Sequence, residues 1–104
     1  MGELDRLQAE INEWADRVFE QNPDGHPDMS IAAHKLAEEA GEVNRCIAKG
    51  AQNILGGSEY WHDQFGKEVA DVVIICARAA TAHGSSLSQL VQDRWAEVQK
   101  RTFE

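Results

Sequence analysis

The sequence holds only two cysteines and two prolines among its 104 residues. Cys46 and Cys76 each sit in a helix-like stretch, and no CxxC pair occurs. A disulfide scaffold and a zinc ribbon are thereby excluded, and a reducing cytoplasmic setting is the expectation. Pro23 and Pro27 fall in one short stretch, so nothing elsewhere forbids helix. Positive charge is scarce: ten Lys and Arg stand against eighteen Asp and Glu, a net charge of −8. Such a chain lacks the basic footprint that coats nucleic acid or docks on an anionic membrane. Long hydrophobic runs are missing too. The longest strongly apolar one, Val72 to Ala77, is far too short to span a bilayer. The opening Met1 to Arg6 carries no apolar core of a secretion signal. Large apolar residues are few, 22 Leu, Ile, Val and Phe beside 14 Ala. A chain with so thin a core is expected to associate with others, as a dimer or tetramer.

What is present is helical patterning. A hydrophobic share of 42% is too high for an acidic disordered tail. Four helices are expected, at roughly 3–21, 29–49, 58–83 and 86–102. In the first, Leu4, Leu7, Ile11, Trp14 and Val18 make an apolar stripe. It gives way to Asn22-Pro23-Asp24-Gly25-His26-Pro27, a loop. In the second, capped by Asp28 or Ser30, the expected buried side is Ala32, Leu36, Val43 and Ile47, with Ala33, Ala37 and Ala40 for close approach. Gly50 suits its C-terminal cap. Residues 51–57 read as a loop. Ser58 can cap the third helix, whose face is Trp61, Phe65, Val69, Val72 and Cys76. Its run Val73-Ile74-Ile75 is strand-like in composition, but the 3.6 period continues on both sides, so it reads as helix buried on most sides. Gly84 ends it. Ser86-Leu87-Ser88-Gln89 is a capping-box pattern for the fourth helix, lined by Leu87, Leu90, Val91, Trp95 and Val98. The expected fold is a single all-α domain, a four-helix bundle-like chain whose active unit is completed by oligomerisation.

Five acids break this pattern. On the second helix Glu42 lies about 40° from Glu38 and about 60° from Glu39, and Glu68 and Asp71 lie about 60° apart on the third. Like charges at such spacings repel by a few tenths of a kcal/mol per pair. A solvated helix face accounts for Glu38-Glu39-x-x-Glu42 on its own. It accounts poorly for Glu68 and Asp71, which are set among Phe65, Val69, Val72, Val73 and Ile74. Carboxylates there must be protonated or paired. Oxygen-only donors suit a hard divalent ion, Mg²⁺ or Mn²⁺.

Glu38-Glu39-x-x-Glu42, then 25 residues, then Glu68-x-x-Asp71, resembles the signature of MazG-like nucleoside triphosphate pyrophosphohydrolases, which are all-α. Lys35-Leu36-Ala37 ahead of the acids, Leu7-Gln8-x-x-Ile11-x-x-Trp14 near the start, and Gly84 before a last helix ending in basic residues extend the likeness over nearly the whole chain. The resemblance implies a hydrolase that cleaves a (d)NTP between its α and β phosphates. It implies Glu39, Glu42, Glu68 and Asp71 as principal Mg²⁺ ligands, with Glu38 holding a further ion or orienting the attacking water. Glu38 and Glu39 are therefore the catalytic candidates. It further implies phosphate contacts from basic residues, for which Lys35, Lys49, Arg94, Lys100 and Arg101 are candidates. Each of these equally suits a solvated helix surface. Val98 stands where many relatives carry an Asn, and the further motifs of a phosphoribosyl-ATP pyrophosphatase are missing.

Other residues carry less. Glu59-x-x-His62 has the spacing of di-iron bundles, which need a second copy of it. His34 and His83 have no matching partner in the sequence. Trp14 and Trp61 are nucleobase candidates, because a base needs a flat apolar wall, and Asn53 is a sugar or base candidate; core packing and turn formation are their plainer roles. Two other classes compete with the hydrolase: a non-catalytic metal-binding helical regulator, and a helical interaction module with no metal.

Overall fold

The computed structural model describes residues 2–18, 29–52 and 57–101, without the side chains of 29–31 and 52. These residues form four helices and no strand: α1, Glu3–Val18; α2, Met29–Gln52; α3, Gly57–His83; and α4, Leu87–Val98. The expected all-α class holds, and α3 runs unbroken through Val72–Ile75. No helix among the described residues is long and apolar enough to cross a membrane. The Pro23–Pro27 loop, the caps at Asp28 and Ser30, and Asn53 lie outside the described residues or side chains. The chain divides into two compact units, 1–29 with 77–104, and 30–76.

The first unit joins α1, the last two turns of α3, and α4. Its hub is Gln8, a buried polar residue on α1. Its Nε2 donates to Thr81 Oγ1 and to the Ser85 carbonyl, both at 2.9 Å, and its Oε1 accepts from the Leu87 N–H at 2.7 Å. Asn12 Nδ2 donates to Thr81 Oγ1 at 2.7 Å, and Arg78 reaches Asn12 and Asp16 at 2.7 and 2.9 Å. The buried side of α1 is thus Gln8 and Ala15, with Leu4, Ile11 and Asn12 half-buried. The expected stripe is turned by about one residue, leaving Leu7, Trp14 and Val18 exposed. Amide hydrogen bonds, rather than an unbroken apolar seam, fix this face.

The turn from α3 to α4 is built as the sequence suggests. Gly84 takes φ +83°, its N–H donates to the Thr81 carbonyl at 2.9 Å, and the Ser85 N–H donates to the Ala80 carbonyl at 2.8 Å. That is the Schellman arrangement, which a left-handed glycine permits. Ser86 Oγ accepts from the Gln89 N–H at 3.2 Å and donates to Asp5 at 2.6 Å. The Gln89 side chain does not complete the reciprocal box; it donates to Asp93 at 2.7 Å. The fourth helix ends at Val98, with Gln99 as its C-cap, earlier than the expected 102. Lys100 and Arg101 bond back to the Glu97 and Val98 carbonyls in a tightened last turn, so both lie beyond the helix.

The second unit pairs α2 with the first five turns of α3. Glu39 meets Glu68 at one end and Gly50 meets Trp61 at the other, so the two helices run antiparallel. The inward positions on α2 are Ala32, Leu36, Glu39, Val43, Cys46 and Gly50; on α3 they are Trp61, Phe65, Glu68 and Val72. Both sets alternate steps of four and three, the spacing of a helix seam. Ala33, Ala37, Ala40 and Ile47 are exposed, so the packed face of α2 is turned toward Glu39 and Cys46. Gly50 is not a cap. It lies inside α2, where a Cβ would approach that of Trp61 to 3.3 Å. Val73 and Ile74 remain 45% and 39% exposed, so the middle of α3 is not buried on most sides.

Candidate metal centre

The α2–α3 seam places two of the five acids where apolar side chains are expected. Glu39 stands between Leu36 and Val43, Glu68 between Phe65 and Val72, and both are half-buried. Asp71, one turn after Glu68, completes a trio whose nearest carboxylate oxygens all lie within 4.8 Å of one another. Helical repeat explains the convergence, because i and i+3 share a face and an antiparallel neighbour brings its own acid to the same level.

The trio is electrostatically unbalanced. Lys35 pairs with Glu38 at 3.4 Å and Arg45 with Glu42 at 3.5 Å. Among the described residues no Lys or Arg pairs with Glu39, Glu68 or Asp71. The Glu68 carboxyl is held above its ordinary pKa, first by its hydrogen bond with Glu39, then by burial, then by the charges of Glu39, Asp71 and Glu42. The adjacent Cys46 thiol is also pushed up, by burial and then by the charges of Glu68 and Glu42, with Arg45 opposing.

The donor set fits a hard divalent ion. Three convergent carboxylates from rigid helices, with no sulfur or imidazole among them, are the ligands that Mg²⁺ or Mn²⁺ prefers. A cation there would relieve the repulsion that shifts Glu68.

No protein-family model matches the chain, and no curated protein or solved structure matches it significantly. The site therefore stands on its own geometry.

The structure gathers the sequence-derived candidates only in part. Glu39, Glu68 and Asp71 converge. Glu42 is near enough to act on Glu68 but is turned to Arg45, and Glu38 is turned to Lys35. Lys49 is half-buried on the same helix. Trp14, Arg94, Lys100 and Arg101 belong to the first unit, where Arg94 pairs with Glu97 at 3.2 Å. Glu59 and His62 line the wall of one hollow with Ser58 and Asp63 and are not part of the acid trio. Arg45 escaped sequence reading. It stands three residues after Glu42, the one acid within a turn of it, and that i, i+3 spacing is the signal that could have found the pair. Its guanidinium also lies over the Trp61 ring, 5.7 Å from the centroid.

Proposed function

We propose that this protein is a Mg²⁺-dependent nucleoside triphosphate pyrophosphohydrolase of the MazG-like kind, acting in nucleotide-pool housecleaning. The observation that carries the reading is the Glu39–Glu68–Asp71 trio, acids with no Lys or Arg partner among the described residues at the seam of two helices. The spacing EExxE…ExxD, with its flanking residues, supports it independently.

In this reading Glu39, Glu68 and Asp71 are the principal metal ligands, with Glu42 joining them on release from Arg45. Held by these residues, Mg²⁺ or Mn²⁺ would supply neutralisation of phosphate charge and a lowered pKa for water. Glu38 or Glu39 accepts the proton of the attacking water. The new bond forms between that water oxygen and the α-phosphorus. The bond from the α-phosphorus to the bridging oxygen breaks, and that oxygen leaves with the pyrophosphate. Lys35 and Lys49, on the same helix as Glu39, are the proposed phosphate contacts. The two free thiols, Cys46 and Cys76, accord with a reducing cytoplasm. Exposed Trp14, Val18, Val91 and Trp95 support a homo-oligomer, a dimer or tetramer.

The test is pyrophosphate release from a panel of (d)NTPs with Mg²⁺. Turnover of at least one nucleotide is expected, abolished by Asp71→Asn in folded protein. No release from any nucleotide by folded wild-type protein overturns the reading and leaves the metal-binding regulator.

A further inference from the structure

Beside the carboxylate trio, on the same pair of helices, lies a groove that the hydrolase reading leaves unassigned. It has a volume of about 260 Å³ and is walled chiefly by Cys46, Ile47 and Gly50 of α2 and Trp61, His62 and Phe65 of α3. Its shape follows from sequence. Gly50 has no side chain, which lets the α2 backbone approach Trp61 and leaves a hollow above the indole. Trp61 is buried, and Tyr60 meets it edge-on with centroids 4.9 Å apart, so the wall is rigid.

The groove begins where the acids end. Phe65 stands one turn from Glu68, about 4.5 Å along the helix axis, and Trp61 two turns, about 10.5 Å. On α2, Cys46 bears the charges of Glu68 and Glu42, which places the groove floor within electrostatic reach of the trio. Arg45 connects the two places, since one guanidinium pairs with Glu42 and lies over the Trp61 ring. A ligand that fills both ends therefore has a flat apolar part, an anionic part, and about one sugar between them.

We propose that this groove seats the heteroaromatic base of the substrate, with Phe65 and Trp61 as its apolar wall and Arg45 between base and phosphate. The proposal rests on the reading of the trio as a metal–phosphate site and adds where specificity is set. The aromatic walls favour a ring over an aliphatic chain. His62, exposed at the rim, offers a ring nitrogen to the base edge, so base choice is read there. Arg45 is a positioning residue: once its guanidinium turns to the phosphate, Glu42 is freed toward the trio.

Ile47→Trp tests this, because Ile47 is 56% exposed and a larger side chain fills the groove without entering the seam. Calorimetric titration with dAMP, dCMP, dGMP and dTMP in Mg²⁺ is expected to show at least one binding to wild type. The variant is expected to bind it at least tenfold more weakly, while Mg²⁺ alone and inorganic tripolyphosphate bind as before. Equal monophosphate affinity in the variant, or no monophosphate bound by a protein that binds Mg²⁺, overturns the groove proposal and leaves the metal reading intact. Failure of Mg²⁺ to bind overturns the metal reading instead. The groove is then judged by the same titration in EDTA, where loss in the variant supports it and no difference overturns it.

Discussion

Glu68 carries the clearest residue-scale consequence of the trio. Its folded pKa is raised, so between the ordinary carboxyl pKa and that raised value the folded chain binds more protons than the unfolded chain. In EDTA the protein is therefore expected to be most stable in mild acid and to lose stability as pH rises through the raised pKa. Mg²⁺ should reverse this. Its stabilisation should grow with pH as protons cease to compete for the carboxylates, reaching about 2.7 kcal/mol at a hundredfold excess over Kd. Glu68→Gln is expected to melt higher than wild type in EDTA at pH 7 and to lose the Mg²⁺-induced rise, read by thermal unfolding with and without the ion. A lower melting temperature in EDTA would show that the carboxylate is not under repulsion. The acids themselves were legible in the sequence. The Glu42–Arg45 pair was legible as well, since Glu42 is the one acid within a turn of Arg45, but the choice of Lys35 was not, since Glu38 and Glu39 both lie within a turn of it.

At the scale of the element, the α3–α4 turn and α1 form one device. Gln8 satisfies two acceptors and one N–H across that turn, and leaving such groups unpaired costs about 1–3 kcal/mol. Gln8→Ala is expected to lower stability by that amount, a fall of several degrees in melting temperature for a domain of this size. Ser86→Ala should cost about 0.5–2 kcal/mol as a lost N-cap. Urea unfolding checks both, and effects under about 0.3 kcal/mol would mean that water replaces these bonds. Helix existence, the Gly84 stop and the Ser86 cap were readable because local spacing and backbone freedom decide them. Helix rotation was not. A stripe of Leu4, Leu7, Ile11, Trp14 and Val18 points one way, but Gln8 and Asn12 find partners on α3 some 70 residues later, and no local pattern reveals that. Likewise Gly50 reads as a cap because glycine often is one; its role here depends on Trp61 across the seam.

For the whole molecule, the count of large buried side chains matters most. Trp61 is the only large buried apolar residue among those described; the rest of the buried apolar set is Ala15, Ala32, Cys46, Ala77 and Ala80. Meanwhile Trp95 and Val91 are 59% and 53% exposed along α4. Sedimentation velocity at micromolar concentration is expected to show a dimer or tetramer, and Val91→Glu with Trp95→Glu to shift it toward monomer. A monomeric wild type would remove oligomerisation from the functional proposal. The division into two units has a different outcome, in the order of synthesis. The first unit draws on both ends of the described chain, whereas the second is continuous. On a ribosome α1 emerges early, but the partners of Gln8 follow 73 to 79 residues later, about 4–15 seconds of elongation. Only near the end of that interval, once Asp71 has been made, do α2 and the acid-bearing turns of α3 have each other. The carboxylate seam can thus close shortly before α1 finds the turn it will clasp.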